Sequence, residues 1–413
     1  MPGNNETSKG KASKPVWYQS IRKYEKPHLR KAIWQLVNTF VPYFLILYLM
    51  YLTIQSGYSY WITLALAVLA AGFLGRIFIF FHDCVHFSFF ASRKANILLG
   101  RICGILAFTP YEDWQRAHGI HHATVGDLDR RSIGDIWTLT VDEFLTAPRL
   151  TQIRYRIFRN PYVIFGFGPV YEFLIAHRFS HKGAKKSQRH SVYLNNLAIL
   201  AIIVVASLTI GFRTYALIQL PVIFMCGVMA VWIFYIQHQF VGVYWARHEE
   251  WDPIRIAMEG SSYYKLPRLL QWFSGNIGYH HIHHIRPRIP NYNLQRCYDE
   301  TPAMRTVEPL TIRKSLKSPF LHLWDESQKK IVSFRSLKNL IRKKTMNDHV
   351  SKKFTKKRSL LHFIQIGLDS VGTQPGSSSD SENLSVSFAD DRQRSDLMNN
   401  LLPPITVCVL IAK

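Results

Sequence analysis

Residues 78–86 read Phe78-Ile79-Phe80-Phe81-His82-Asp83-Cys84-Val85-His86, an apolar run that ends in two histidines four apart. On a helix, residues three or four apart share a face, so this HxxxH pair can aim both imidazoles at one point. Two further clusters have the form HxxHH: His118-Gly119-Ile120-His121-His122 and His280-His281-Ile282-His283-His284. With 18 histidines in 413 residues, one HxxHH string arises by chance in roughly a few chains per hundred, so two in one chain are improbable accidents. Imidazole binds iron, zinc, copper and nickel well, and histidine is the commonest protein metal ligand. The clusters are read as a metal site.

Outward from that stretch, residues 61–81 are long enough and apolar enough to cross a bilayer as a helix. Arg76 alone interrupts them, and it is read as snorkelling to the headgroups. Residues 34–54 are an uncharged run of 21. The intervening turn brings Tyr58, Tyr60 and Trp61 to the membrane–water boundary. Residues 194–210 and 215–236 form a second apolar pair, joined by a tight turn whose one charge is Arg213. The fold class is therefore all-α: a polytopic membrane protein with four transmembrane helices at about 34–54, 61–81, 194–210 and 215–236.

Basic residues set the orientation. The two short turns hold one Lys or Arg together, whereas residues 1–31 alone hold eight. By the positive-inside rule the N-terminus, residues 87–192 and everything after Phe240 are cytoplasmic. All three clusters then fall on one face, in a cytoplasmic helical cap. Within that cap, residues 97–108 (interrupted by Arg101) and 162–176 (with Glu172, Gly166, Gly168 and Pro169) are too short to span and are read as interfacial helices. Arg154, Arg156 and Arg159 could hold lipid phosphates or form a solvated face; the spacing leaves both open.

Composition agrees with this division. The chain is 48% hydrophobic yet carries a net charge of +24, which suits apolar spans beside basic segments that meet an anionic membrane surface. A basic nucleic-acid binder would have no use for the long apolar runs. The five cysteines are scattered with no CxxC pair, which argues against a disulfide framework or thiolate site and fits a reducing compartment. No cleavable signal peptide is visible in the polar, basic first thirty residues. Residues 1–16 are expected to be a disordered basic N-terminus and 17–345 the membrane domain. Residues 346–413, basic and then polar and low in complexity, are expected to be a disordered tail.

His238, in Tyr235-Ile236-Gln237-His238-Gln239, leaves the fourth span as the first cluster leaves the second. Counting it as a ligand gives His82, His86, His118, His121, His122, His238, His280, His283 and His284. Nine imidazoles exceed what one metal takes, about six, so two ions are expected. Zinc closes at four ligands and would be overfilled, whereas a pair of irons keeps room for oxygen. An iron pair beside a bilayer suggests oxidation of an acyl chain, whose C–H bonds need a strong oxidant.

The order HxxxH, HxxHH, an isolated histidine after the fourth span, then HxxHH resembles the membrane fatty-acid desaturase family. The likeness continues through Gly134-Asp135-Ile136-Trp137-Thr138-Leu139-Thr140-Val141-Asp142-Glu143, Gly260-Ser261-Ser262-Tyr263-Tyr264-Lys265-Leu266-Pro267, Gly275-Asn276-Ile277-Gly278-Tyr279 and Pro290-Asn291-Tyr292. That fuller set is similar to bacterial acyl-lipid desaturases of the Δ5 type, over about residues 17–345. The resemblance implies two ferrous ions on the nine histidines, with His281 beside them as the extra histidine of its box. It also implies O2-dependent insertion of a cis double bond into the acyl chains of membrane lipids, in a bacterial cell membrane. Electrons would come from a separate carrier of the ferredoxin or flavodoxin type, since no His-Pro-Gly-Gly string marks a fused cytochrome domain.

Around the ligands, Asp83, Glu112, Asp113, Asp127 and Asp129 are candidates to accept the second N–H of ligating rings, with no more than two of the five expected to do so. Gln237 and Asn276 are candidates to hold a water. A membrane hydroxylase, ketolase or epoxygenase would share the same iron pair. A zinc carrier would need polar or ionisable groups within its spans along a path, and 34–54 and 215–236 carry no charge. A non-catalytic lipid receptor would need only a structural metal.

Overall fold

Four long helices carry the four apolar runs: α1 Leu29–Gln55, α2 Tyr60–Val85, then, beyond two shorter cap helices, α5 Lys186–Thr209 and α6 Phe212–His238. The cap helices are α3 Arg93–Leu106 and α4 Tyr111–Thr124. This computed structural model describes residues 14–131, 134–181 and 183–337. The disorder expected of residues 1–13 and of the tail after 345 lies outside the described residues, as does Cys408. Through Ile331 the described residues make one unit by internal contacts. Residues 332–337 fall in a second, where Ser336 N–H donates to Ser333 Oγ at 3.2 Å.

The long helices outrun their apolar cores, because a helix continues into its polar flanks once the hydrocarbon ends. The extension of α2 to Val85 matters most: His82 sits inside its last turn and His86 caps it. α2 is also the central helix, with 56% of its most apolar window buried against 17–28% for the other three. Ala67, Ala70 and Ala71 are fully buried there, and such small residues let neighbouring backbones approach closely. The α1–α2 hairpin is tied by Thr53 Oγ1 and Thr63 Oγ1, 2.8 Å apart.

Arg76 corrects a sequence expectation. It does not snorkel; it is 3% exposed. Its Nε donates to Thr39 Oγ1 at 3.0 Å, an Nη donates to the Trp272 carbonyl, and the guanidinium stacks on the Trp272 ring at 4.0 Å. The reason is a short helix, α7 Arg268–Phe273, that comes from far along the chain and lies against α2. Phe273 packs edge-on to Phe73, ring centroids 5.2 Å apart.

The expected interfacial segments are both helical. α3 covers the first, and the second is a run of wide helical turns at Val163–Phe167 and Tyr171–Ile175 with Gly168–Val170 between them. Arg159, left between lipid contact and solvated face, does neither. It is fully buried, donating to Tyr235 Oη and Gln239 Oε1 at 3.0 Å and to the Leu321 carbonyl at 2.6 Å. Short parallel strand pairs brace the cap: β1 Leu139–Thr140 with β4 Leu323–Asp325, and β2 Tyr263–Lys265 with β3 Pro309–Thr311.

Two more helices complete the cap, α8 His280–Ile285 and α9 Asn291–Glu300. α8 ends where Arg286-Pro287-Arg288-Ile289-Pro290 begins, since proline removes donors and fixes φ. Ile282, Ile285, Ile289, Leu294 and Cys297 bury together, fastening α8 to α9.

Candidate metal centre

Box one needs only α2. His82 and His86 lie one turn apart on one face, ring centroids 4.9 Å apart. The last carbonyls of a helix lack intrahelical donors. Here the Tyr111 hydroxyl donates to the Cys84 carbonyl at 2.7 Å and Gln115 Nε2 to the Val85 carbonyl at 2.8 Å. Both donors belong to α4, so the bonds that satisfy the end of α2 also lay box two beside box one. On α4, His118, His121 and His122 share a face by their spacing.

Box three arrives through a strained turn. Gly275 has φ +52° and Asn276 φ +60°, and a Cβ on Gly275 would meet Ile79 of α2 at 2.7 Å. At Gly278 a Cβ would come within 2.5 Å of the Tyr264 carbonyl oxygen, which β2 places there. These close approaches bring α8 over the ends of α2 and α4. His238 is the last residue of α6.

All nine imidazoles named from the sequence converge, and they divide into two groups. His82, His86, His118, His122 and His283 form one; His121, His238, His280 and His284 form the other. Within each group one nitrogen per ring lies within 4.8 Å of every other. Rings of the two groups touch: His122 and His284 stack with centroids 4.2 Å apart. His281, on the same short helix, points elsewhere, its Nε2 3.2 Å from the Met304 carbonyl.

The nitrogen contacts test whether a metal fits. His121 Nδ1 lies 2.7 Å from Asp135 Oδ1, and His238 Nδ1 lies 3.0 Å from the Gly260 carbonyl. Those acceptors hold the ring proton on Nδ1, which leaves a lone pair on each Nε2. Yet the two Nε2 atoms face each other at 3.2 Å, and His280 Nε2 is 3.1 Å from His238 Nε2. Between His121 and His238 two lone pairs face each other with no proton to share, an arrangement that a cation resolves. Burial, reinforced by neighbouring imidazoles, holds His118, His122, His280, His283 and His284 well below the ordinary histidine range. Neutral imidazole is the form that binds metal.

Of the acids expected to orient ligating rings, only Asp83 is near one, its Oδ1 3.6 Å from His82 Nδ1. Asp83 Oδ2 instead accepts from Asn291. Glu112 pairs with Arg101, and Asp113 accepts from His181 Nδ1 at 2.8 Å. Asp113 precedes His118 by five residues, which turns it to the other side of α4. Asp127 and Asp129 both bind the 247–248 segment: Asp127 Oδ2 is 2.8 Å from His248 Nδ1, and Asp129 accepts from Arg247 at 2.7 Å. The acid that does orient a ring, Asp135, was missed; the signal lay in the Gly134-Asp135 string. Gln237 is buried beside His238, with its backbone carbonyl accepting from Ser262 N–H at 2.9 Å. Asn276 turns away, donating to the Asn291 carbonyl at 3.1 Å and accepting from Gln271.

Comparison with known proteins adds three findings. Residues 59–311 match the family model described as fatty acid desaturase. A fatty acid desaturase of Bacillus subtilis (strain 168) is 46% identical over 322 residues, 78% of this chain and 91% of that protein. Two cyanobacterial proteins are more distant. An sn-1 acyl-lipid omega-3 desaturase (ferredoxin) of Nostoc is 26% identical over 60% of this chain and 69% of its own length. An sn-1 oleoyl-lipid 12-desaturase of Synechocystis is 23% identical over 54% of this chain and 63% of its own length.

Proposed function

The chain belongs to the fatty acid desaturase family, and on that premise we propose that it is an acyl-lipid desaturase acting through two irons held by the nine histidines. The observation that carries this reading is the division of nine imidazoles into groups of five and four at the ends of α2 and α6. Five imidazoles exceed a tetrahedral zinc site, whereas iron accommodates five or six ligands. Bound iron would supply the oxidant, made from O2, that a saturated acyl C–H bond requires.

The chain's own residues hold, orient and dry the site. Trp114 stacks on His118 with centroids 4.3 Å apart, and Phe234 lies 5.3 Å from His121. Asp135 and the Gly260 carbonyl fix ring protons on the outer nitrogens of His121 and His238. In the overall reaction an acyl –CH2–CH2– segment loses two hydrogens to become –CH=CH–. O2 takes these with two electrons from the carrier and two protons, leaving as two waters.

The carrier is of the ferredoxin or flavodoxin type, and the Nostoc desaturase, named for ferredoxin, supports the first of these. The positive-inside rule supports a site on the cytoplasmic face, and the likeness to the Bacillus subtilis protein supports a bacterial cell membrane. The Δ5 position suggested by the flanking strings belongs to the same proposal. Expression in a host that makes saturated and simple monounsaturated lipids tests it. Gas chromatography is expected to show a new cis alkene, and elemental analysis two irons per chain. Hydroxylated chains, or purified protein that takes up zinc alone, would overturn the reading.

A further inference from the structure

Beside the metal centre, on the flank of α2, lies a cavity of about 510 Å³ whose lining is polar and basic. Lys31, Trp34 and Gln35 of α1, Arg76 of α2, and Arg268 and Trp272 of α7 contribute to it. Arg76 precedes His82 by six residues, which is ~9 Å along the helix axis at the α-helical rise. The cavity therefore sits where the ends of α1 and α2 meet the cap residues Arg268, Trp272 and Tyr292, the depth at which lipid headgroups lie. Its surroundings face lipid: Trp34, Leu269 and Leu270 are exposed.

Arg76 lies within an apolar run, and an ionisable residue in a span is a functional-site candidate. Three cations line this cavity, and no carboxylate does. The bonds of Arg76 to Thr39 and Trp272 use only part of its donor set. A second observation is independent of charge. Gln35 is 8% exposed, and its Oε1 has no hydrogen-bond partner. The amide cannot simply be turned over. Gln35 Nε2 donates to Asn291 Oδ1 at 2.9 Å, and Asn291 is oriented in turn by donating Nδ2 to Asp83 Oδ2 at 2.9 Å. The orphan oxygen is itself covered, so Gln35 contributes a fixed side chain that ties the cavity wall to Asp83, and the ligand chemistry is set by the cations: a ligand that suits them carries an anion.

We propose that this cavity holds the headgroup of the phospholipid whose acyl chain is oxidised. The phosphate lies against Lys31, Arg76 and Arg268. The inference rests on the desaturase reading for the fate of the chain, but headgroup binding can be measured without turnover. The chain Gln35–Asn291–Asp83 also joins the cavity to the residue next to His82. Anchoring the phosphate fixes how far along the acyl chain the oxidant meets carbon.

The test uses the full-length protein in detergent and titration calorimetry with dioctanoyl phosphatidylglycerol, dioctanoylglycerol and inorganic phosphate. Phosphatidylglycerol is expected to bind at least about tenfold more tightly than either of the others. Arg268→Glu and Lys31→Glu, at exposed positions, are each expected to weaken it by about tenfold or more, with Arg268→Lys recovering most of the loss. Melting temperatures matching the parent protein show that these variants fold. Equal binding of phosphatidylglycerol and dioctanoylglycerol, or unchanged binding by the charge-reversed variants, overturns the proposal. Equal binding of inorganic phosphate reduces the cavity to an anion site without lipid. Failure of the desaturase reading is seen separately, as a parent protein that binds phosphatidylglycerol but makes no alkene.

Discussion

Asp83 Oδ2 accepts both N–H groups of Asn291, the backbone one at 2.7 Å and the side-chain one at 2.9 Å. One carboxylate oxygen, next to His82 on α2, thus fixes the start of α9, which packs against box three. Replacing Asn291 by Ala removes the side-chain bond and strands Gln35 Nε2 without an acceptor. Leaving a buried polar group unpaired costs about 1–3 kcal/mol. We expect a lowered melting temperature and reduced metal content in Asn291→Ala, read by differential scanning fluorimetry and elemental analysis. A variant with the parent's stability would show that this contact fastens nothing.

Asp135 holds His121 from outside the cluster. Loss of such a partner typically weakens metal binding by about 10–100-fold. Asp135→Ala is expected to lose metal to a chelator at concentrations the parent resists, with Asp135→Asn intermediate because its carbonyl still accepts. Equal retention by all three would mean that the bond does not support a ligand.

His121 and His281 make a paired control. His121 lies in the group of four imidazoles, whereas His281 is fully buried against the Met304 carbonyl. His121→Ala is expected to abolish alkene formation and lower the metal content. His281→Gln, which can still donate to Met304, is expected to keep both metals. Full metal loading of His121→Ala would remove that residue from the ligand set.

The His181–Asp113 pair gives a pH signature outside the spans and apart from the nine imidazoles. The hydrogen bond that His181 donates to Asp113 raises the His181 pKa, with Glu172 adding to the rise and burial and Arg116 opposing it. A raised folded-state pKa means the native state holds the proton more tightly. Its stabilisation is complete below the unfolded value of about 6.5 and is lost as pH rises through the folded one. The melting-temperature gap between the parent and His181→Gln should be widest near about pH 5 and close on the alkaline side. A gap that widens with rising pH would reverse the assignment.

The spans and the nine ligands were legible because both are local patterns. Apolar runs measure out a bilayer, and spacings of three and four put imidazoles on one helical face. What the sequence concealed depends on distant partners. Arg76 looked like a snorkelling residue because nothing near it in sequence shows that Trp272 returns to cover it. Arg159 looked like a surface charge, but its acceptors at Tyr235, Gln239 and Leu321 come from 76 or more residues away. The acids nearest the boxes in sequence were natural candidates, but helical rotation turns Asp113 from the centre while a turn delivers Asp135.

The five-ring group draws on α2, α4 and α8, and the four-ring group on α4, α6 and α8. No stretch that ends before α8 contains a complete set of either group, so on the proposed function neither ion loads during synthesis until α8 has emerged and docked. Metal capture would then be a late event coupled to maturation, since ions that bind only the finished arrangement stabilise it. Scarcity of the metal would be felt first as a shortage of mature protein, before any slowing of the molecules already complete.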